Sequence, residues 1–168
     1  MLFEEVNSLP SGSLLEIGIG DGSNLTFYKT HKITGIDTSS GMIKKAMKRQ
    51  NDNIQLIQMN GEELQFFDSF FDYVVLSHVI AVANNPEKLM EEVYRVLKSN
   101  GKVFILNHFT PENWLKYIDN LFNPLSAIFH FKSVFQIENL ESVKKFKLLK
   151  EIRFGKLSYF KLLIFCKA

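Results

Sequence analysis

The sequence predicts an α/β fold, in which a mostly parallel sheet of seven strands has helices on both faces and ends in an antiparallel hairpin. Over the first two thirds of the 168 residues, short β-like runs alternate with segments of helical length. This alternation is typical of parallel strands joined by covering helices. Near the C-terminus, two β-like runs follow each other around Gly155 and Lys156, as in a hairpin. With 46% hydrophobic residues the chain can build one core, so we expect a single domain over residues 1–168.

Five strands are expected in the parallel part because each is a short apolar or β-branched run bounded by turn-forming residues. They are residues 13–18, 32–37, 54–59, 70–76 and 103–107. The fourth run, FFDYVVL, is nearly all apolar, which is typical of a strand buried on both faces. We therefore place it at the centre of the sheet. Residues 146–154 and 157–165 supply the hairpin.

Helices are expected between the strands, where capping residues and helical spacing mark them. The predicted segments are residues 23–29, residues 39–50, a run that begins at Asn85 and Pro86, and residues 136–143. Ser39 or Ser40 caps the second segment, and Asn85 with Pro86 begins the third in the preferred way. Residues 110–131 are irregular and aromatic. We expect one or two short helices there, lying over the carboxyl ends of the strands as a lid or substrate-binding insert.

Charge is distributed unevenly along the chain. Residues 1–100 contain 9 lysine and arginine residues against 13 acidic ones, whereas residues 101–168 contain 11 against 5. A basic, phenylalanine-rich C-terminal third can face an anionic membrane, a nucleic acid or an acidic substrate. The same lysines also fit an ordinary solvated face.

Composition and the first residues indicate a protein of the cytoplasm. The single cysteine, Cys166, excludes an internal disulfide and a Cys-x-x-Cys pair, which fits a reducing compartment. The opening MLFEEVNSLP has no basic leader before an apolar run, so it does not read as a secretory signal. No apolar run approaches the roughly 20 residues that a membrane-spanning helix needs. We therefore expect a soluble or peripheral protein.

The stretch GIGDGS after the first predicted strand is the most informative part of the sequence. Ligands of open parallel sheets bind at the carboxyl ends of the strands, and glycine there lets a ligand approach the backbone. Dinucleotide enzymes favour G-x-G-x-x-G, but here the third glycine, Gly22, comes one position early and Ser23 follows it. Asp21 adds a negative charge that would repel a pyrophosphate. The pattern therefore favours a cationic ligand.

The E-x-G-x-G-x-G spacing from Glu16 resembles motif I of the class I S-adenosylmethionine-dependent methyltransferases, which have a Rossmann-like fold. Asp37, nineteen residues after Gly18 at the end of the second strand, is where an acidic side chain can accept both ribose hydroxyls. The resemblance implies S-adenosylmethionine as cofactor and S-adenosylhomocysteine as product. It assigns cofactor-binding roles to Glu16, Gly18, Gly20, Gly22, Asp37, Thr38, Met42, Asn60, Gly61, Glu62 and Ser77. Met42 would lie beside the adenine, Ser77 near the sulfonium, and Asn60 stands where the family usually has an acidic residue.

The residues after the fourth strand narrow the acceptor class. Methyltransferases of exocyclic base amines have an Asn/Asp-Pro-Pro-Tyr/Phe motif there, whereas this chain has Leu76-Ser77-His78-Val79. The base-methylating class is therefore disfavoured, and no nucleic acid partner is expected. Catechol-type enzymes place Mg²⁺-binding carboxylates at these positions, and this chain has none there. We expect no metal.

Residues 77–109, the block ITGIDTSSGMIKKA and the aromatic tail FGKLSYFKLLIF resemble a narrower group, the bacterial phosphatidylethanolamine N-methyltransferases of the soluble type. The resemblance implies a lipid amine as acceptor and a peripheral position at the inner face of the membrane. His78 and His108 end central strands, where they can meet over one pocket and accept a proton, or make structural hydrogen bonds instead. Asn107 is placed to orient the amine.

Several features of the C-terminal third acquire a role from this resemblance. Trp114 and Tyr117 can cover a cationic headgroup by cation–π contact, or simply pack as helix residues. The lysines that would meet anionic phospholipid are Lys132, Lys144, Lys145 and Lys147.

Only thirteen residues precede Leu14, where the family normally has a helical, tyrosine-containing segment that closes over the cofactor. The resemblance therefore predicts a more open pocket, or one closed by a neighbouring chain. Two alternatives to a lipid methyltransferase follow. One is a methyltransferase with a small soluble acceptor, and the other is a non-catalytic cofactor-binding protein that lacks the N-terminal cover.

Overall fold

A computed structural model describes residues 1–108, 137–154 and 160–168 and shows a seven-stranded mixed sheet. The strands are β1 (Ser13–Ile17), β2 (Lys32–Asp37), β3 (Ile54–Gln58), β4 (Phe71–Ser77), β5 (Leu97–His108), β6 (Phe146–Arg153) and β7 (Phe160–Lys167). Their order is β3-β2-β1-β4-β5-β7-β6. The first five run parallel, whereas β7 is antiparallel to both β5 and β6. The predicted fold class and the C-terminal antiparallel pair are confirmed.

The described helices are short. They are α1 (Leu2–Asn7), α2 (Ser40–Ala46) and α3 (Pro86–Val96), with 3-10 helices at Ser23–Phe27, Met47–Arg49, Ile137–Asn139 and Ser142–Lys145. The cap predictions hold: the Ser39 hydroxyl accepts the N–H of Met42 at 3.3 Å, and the Asn85 side chain accepts the N–H of Lys88 at 3.0 Å. No helix within the described part of the chain is long and apolar enough to cross a membrane.

Three element predictions need correction. Residues 23–29 form no α-helix, because Gly22 is left-handed and Tyr28 already extended, which leaves a 3-10 helix of five residues between them. The predicted helix over residues 39–50 divides into α2 and a 3-10 helix. The described part of the predicted helix over residues 136–143 is not one helix, because it forms two 3-10 helices, Ile137–Asn139 and Ser142–Lys145. In addition, the six residues of α1 form a helix that was not predicted.

The fifth strand also begins earlier than expected. Leu97 is already extended and fully buried, and it pairs with Phe71. The pairing of β4 and β5 then shifts register before Tyr73 meets Lys102. Because Leu97 is buried in the core, β5 begins directly after α3, with no loop between them.

Two buried clusters lie on the two faces of the sheet. Along β4, Val74 and Leu76 join the cluster that contains α3, whereas Val75 joins the cluster that contains α1 and Leu25. Such alternation is expected of a strand covered on both faces. Because β4 lies between β1 and β5, its central position is confirmed.

The parallel direction of β1 to β5 brings the loops after these strands to one edge of the sheet. The proposed lid of residues 110–131, with Trp114 and Tyr117, lies outside the described residues, as do Lys132 and the hairpin turn around Gly155 and Lys156.

Candidate functional site

A cleft of about 350 Å³ opens at the carboxyl ends of the strands, where the topology predicts a ligand site. Gly18 contributes from the loop after β1, and Asp37 and Thr38 contribute from the end of β2. The loop after β3 supplies Asn60, Gly61 and Glu62. Ser77 and His78 contribute from the end of β4. The structure therefore brings together eight of the residues that the sequence nominated.

The glycine loop needs glycine for two different reasons. Gly18, Gly20 and Gly22 have φ angles of 72°, 58° and 77°, which side chains other than glycine rarely adopt. A Cβ on Gly18 would lie 2.3 Å from Cγ2 of Val79, so the turn after β4 passes directly against it. Beside Gly20 a Cβ would meet nothing within 4 Å. The backbone at Gly20 therefore borders open space.

Asp37 is held in place by the backbone on both sides. Its Oδ2 accepts the N–H of Gly20 at 2.9 Å, and its Oδ1 accepts the N–H of Ser39 at 2.8 Å. Each carboxylate oxygen keeps a further acceptor site. The carboxylate is therefore oriented at the cleft while it can still accept hydrogen bonds from a ligand.

Glu16 lies behind the glycine loop and does not line the cleft. It is completely buried, its Oε1 accepts the Asn24 side-chain N–H at 2.7 Å, and its Oε2 has no hydrogen-bond partner. Burial raises the pKa of Glu16 to about 7, against lowering by the hydrogen bond from Asn24 and by the nearby Tyr28 hydroxyl. The neighbouring Tyr28 hydroxyl is also buried without a partner at hydrogen-bonding geometry. Its pKa is raised by burial and then by the Glu16 charge.

The loop after β3 is braced by its own side chains. The Asn60 side chain accepts the N–H of Glu62 at 3.0 Å, and Oε1 of Glu62 accepts the N–H of Asn85 at 3.1 Å. A Cβ on Gly61 would meet Ile17 at 2.7 Å, so a side chain at this position would collide with β1. Glycine at position 61, which the resemblance nominated as cofactor-binding, is therefore also required by packing.

The charge of the cleft is negative. Its described lining residues include the carboxylates of Asp37 and Glu62 and no lysine or arginine. Asp21, which the sequence placed in the loop as a source of repulsion, instead lies outside the lining, 3.6 Å from the guanidinium of Arg49. The N–H of Ser23 lowers the pKa of Asp21 by hydrogen bonding. The negative charge of the cleft therefore comes from the other two carboxylates.

His78 stands at the wall of the cleft in an unusual conformation. Its φ of 60° is in the left-handed region, and its N–H donates to the carbonyl of Leu106 at 2.8 Å. Asn107 is buried, with 3% exposure, and is not among the residues that line the cleft. His108 ends β5, but its side chain lies outside what the structure describes. The predicted meeting of His78 and His108 therefore stays a prediction.

Three other nominated residues are not among those that line the cleft. Gly20 and Gly22 shape the loop from outside the lining, and Met42 is a partly exposed residue of α2. The segment after His78 was not predicted as part of the site, yet its residues Val79, Val82, Ala83 and Asn84 line the cleft. This segment directly follows a central strand, and that position alone could have indicated that it borders the ligand site.

The protein-family comparison matches residues 15–105, more than half of the chain, to a family described as a methyltransferase domain. The chain therefore belongs to this methyltransferase family. Membership implies S-adenosylmethionine as the methyl donor.

Among curated proteins, the phosphatidylethanolamine N-methyltransferase of Cereibacter sphaeroides is 37% identical over 105 residues, which are 58% of this chain and 51% of the relative. A thiol S-methyltransferase of Rattus norvegicus is 35% identical over 64% of this chain and 48% of its own length. A ubiquinone/menaquinone C-methyltransferase of Psychromonas ingrahamii is 29% identical over 62% and 40%. The chain thus spans about half the length of these relatives, and their acceptors differ.

Solved structures share the fold. A structure described as a possible histamine N-methyltransferase of Thermotoga maritima superposes with a TM-score of 0.73 at 23% identity, over 99% of this chain and 88% of that one. The [4+2]-cyclase SpnF superposes with a TM-score of 0.76 at 16% identity, over 99% and 79%. Because neighbours of this fold have such different descriptions, the acceptor has to be argued from the site.

Proposed function

We propose that this chain transfers a methyl group from S-adenosylmethionine to an amine, and that the amine is the headgroup of phosphatidylethanolamine or a related lipid. One observation carries the proposal: a cleft that presents two carboxylates and no lysine or arginine among its described lining residues, with a histidine at its wall. Such a cleft favours a cationic sulfonium cofactor and an acceptor that arrives as an ammonium ion.

The described residues fit the cofactor. Asp37 would accept the ribose hydroxyls, since both its oxygens are oriented by backbone N–H groups and keep acceptor sites. The open space at Gly20 would admit the amino acid end of the cofactor close to the backbone. Bound there, the cofactor supplies a methyl group on a sulfonium centre that a neutral nucleophile can attack.

The protein's part in the reaction is to position the amine and remove its proton. An ammonium ion has no lone pair, so it must lose a proton before it can attack the methyl group. His78 is exposed at the wall of the cleft, where its imidazole can accept that proton directly or through one water molecule. The apolar side chains of Val79 and Val82 would limit the water around the reacting atoms.

A lipid acceptor is favoured over a soluble one by two observations. The Cereibacter sphaeroides relative is a phosphatidylethanolamine N-methyltransferase. The basic C-terminal third also presents the exposed Lys145 and Lys147 beside Leu148 and Leu149, whose side chains are 49% and 46% exposed. These lysines and leucines lie on β6 and on the 3-10 helix directly before it. Such a combination of positive charge and exposed apolar side chains suits the surface of an anionic membrane.

Calorimetry with S-adenosylhomocysteine tests the cofactor assignment. The intact protein should bind this product, and Asp37→Ala should weaken binding because the ribose loses its acceptor. Asp52→Ala, at an exposed position, is the matched control and should bind normally. Absence of binding by the intact protein, or full binding by Asp37→Ala, would contradict the assignment.

The acceptor is tested by incubating the protein with methyl-labelled cofactor and a lipid extract. Label in phosphatidylethanolamine is expected. Label only in a soluble amine or a thiol would establish the small-molecule alternative, for which the thiol S-methyltransferase relative is the precedent. Cofactor binding without transfer to any extract would identify a non-catalytic cofactor-binding protein.

A further inference from the structure

The turn at His78 is clamped between two parts of the sheet. On one side, the next residue, Val79, packs so closely on Gly18 that no side chain fits there. On the other side, the His78 N–H donates to Leu106 of β5. The backbone of a non-glycine residue in the left-handed region is unfavourable, so these contacts must hold it. The backbone of His78 is thus fixed, and its imidazole needs a separate contact to fix the side-chain torsions.

Phe160 makes such a contact. The rings of His78 and Phe160 are 5.6 Å apart between centroids and 87° apart in plane, an edge-to-face arrangement. Phe160 is the first residue of β7, and it is paired with His108 at the last position of β5. The antiparallel direction of β7 therefore brings its first residue to the edge of the sheet that carries the cleft. This residue lies beyond the segment that the family model matches.

We propose that Phe160 is a positioning residue for methyl transfer: its ring holds the His78 imidazole in the orientation that accepts the proton of the amine. The inference rests on the proposed function of the cleft. Phe160 restricts rotation of the imidazole by occupying one side of it, while Phe160 as a residue stays 44% exposed. The C-terminal hairpin thereby contributes to the acceptor side of a site whose cofactor side is built by β1 to β4.

Phe160→Leu tests the proposal because leucine keeps an apolar side chain on the strand but removes the ring. The three-bond couplings of the His78 resonances, assigned by comparison with His78→Gln, should show an averaged side-chain torsion in Phe160→Leu, whereas those of the distant, buried His31 should not change. Binding of S-adenosylhomocysteine should be unchanged. With labelled cofactor and phosphatidylethanolamine vesicles, kcat should fall about tenfold with little change in KM.

Two variants separate positioning from a general loss of structure. Phe160→Tyr keeps the ring and should restore both the couplings and kcat. In the His78→Gln background, Phe160→Leu should reduce kcat no further, because the imidazole it positions is gone. Phe67→Leu, at an exposed phenylalanine outside the cleft lining, is the control and should change neither.

Unchanged His78 three-bond couplings in Phe160→Leu, or an equal fall in kcat with and without His78, would overturn the proposal. The coupling test and the binding test need no acceptor. If the vesicles receive no label, the proposed function fails, and the His78 couplings still decide whether Phe160 orients the imidazole. If Phe160→Leu folds poorly by circular dichroism, Phe160→Ile provides the same test with a better strand former.

Discussion

Glu16 is a completely buried carboxyl group whose pKa is raised from an ordinary 4.5 to about 7 by burial. Because the folded protein binds this proton more tightly than the unfolded chain, the contribution of Glu16 to stability is greatest below pH 4.5 and is lost as the pH rises through about 7. A shift of this size corresponds to about 3 kcal/mol. Above pH 7 the protein would carry a buried charge whose Oε2 has no partner.

Glu16→Gln should remove this pH dependence. We expect the difference in free energy of unfolding between the original protein and Glu16→Gln to change by about 3 kcal/mol between pH 4.5 and pH 8, in favour of the variant at high pH. Urea unfolding at intervals of pH measures it. Glu91→Gln, at an exposed position, should leave the pH dependence as it was. Parallel curves for the original protein and Glu16→Gln would show that Glu16 does not titrate in this range.

Gly18 and Gly20 should respond differently to alanine. Both have positive φ, which costs alanine about 1–2 kcal/mol. At Gly18 the methyl group also collides with Val79, so Gly18→Ala should lose more stability. At Gly20 the methyl group enters open space, so Gly20→Ala should fold but bind S-adenosylhomocysteine weakly. Thermal melting with calorimetry distinguishes the two, and Gly41→Ala, where nothing lies within 3.4 Å, should be benign. Equal loss of stability in both would contradict this account.

Sequence spacing predicted those site residues whose place in the cleft is set by the backbone of the sheet. Gly18 and Asp37 could be predicted because a turn after β1 and the end of β2 face each other in any parallel sheet of this order. Asp21 could not, because its orientation depends on Arg49, 28 residues away along the chain. The cleft wall after His78 was missed because apolar residues there resemble ordinary packing.

Among the elements, the loop between β3 and β4 carries cleft residues and is tied to α3 by Arg95. The Arg95 guanidinium donates to the carbonyls of Leu64 and Phe66, both at 2.8 Å, and to the carboxylates of Glu92 and Asp68. Its planar fork serves four acceptors on two elements at once, which a lysine ammonium cannot do. The position of Asn60 to Glu62 in the cleft therefore depends partly on α3.

Arg95→Lys should loosen this connection. We expect a loss of about 2 kcal/mol in the free energy of unfolding, because two partly buried carbonyls lose their donors. Faster amide hydrogen exchange in the β3–β4 loop should accompany it, as observed by mass spectrometry. Lys88→Met breaks a fully exposed ion pair with Glu63 and should change stability little. A similar loss in both variants would contradict the special role of Arg95.

Elements with strong local signals were predictable from the sequence, and short ones were not. α3 has an asparagine cap, a proline in its first turn and four buried apolar residues at helical spacing. In contrast, α1 has two buried residues in six, and the helix after Gly22 is held in a 3-10 turn by the glycine loop. Tertiary contacts decide such segments, because a single turn has little stability of its own.

At the scale of the whole molecule, different strands of the sheet contribute to the two parts of the candidate site. β1 to β3 and the loops after them supply the residues that fit a cofactor, whereas β4, β5 and β7 meet at His78. The family model ends within β5. The features that distinguish acceptors among relatives of this fold are therefore expected in β7, in β6 and in the segment between β5 and β6.

For the proposed lipid acceptor, the same C-terminal region is expected to govern attachment to a membrane. Part of its positive charge is already neutralised, since Lys144 pairs with Glu141 and Lys150 pairs with Glu5. Exposed Lys145 and Lys147 remain beside the exposed leucines of β6. Near an anionic bilayer each lysine contributes about 1 kcal/mol, and this attraction weakens with salt.

Replacing Lys145 and Lys147 together by alanine should therefore weaken binding to anionic vesicles by about 2 kcal/mol, or about thirtyfold. Co-sedimentation with vesicles of phosphatidylethanolamine and phosphatidylglycerol at low salt measures the loss. The control is the pair Lys44→Ala and Lys48→Ala on α2 and the 3-10 helix after it, which removes the same charge from another part of the surface. Equal weakening by both pairs would mean that only net charge matters. No binding of the original protein to these vesicles would favour a soluble acceptor, because a lipid headgroup can be reached only by a protein that meets the bilayer.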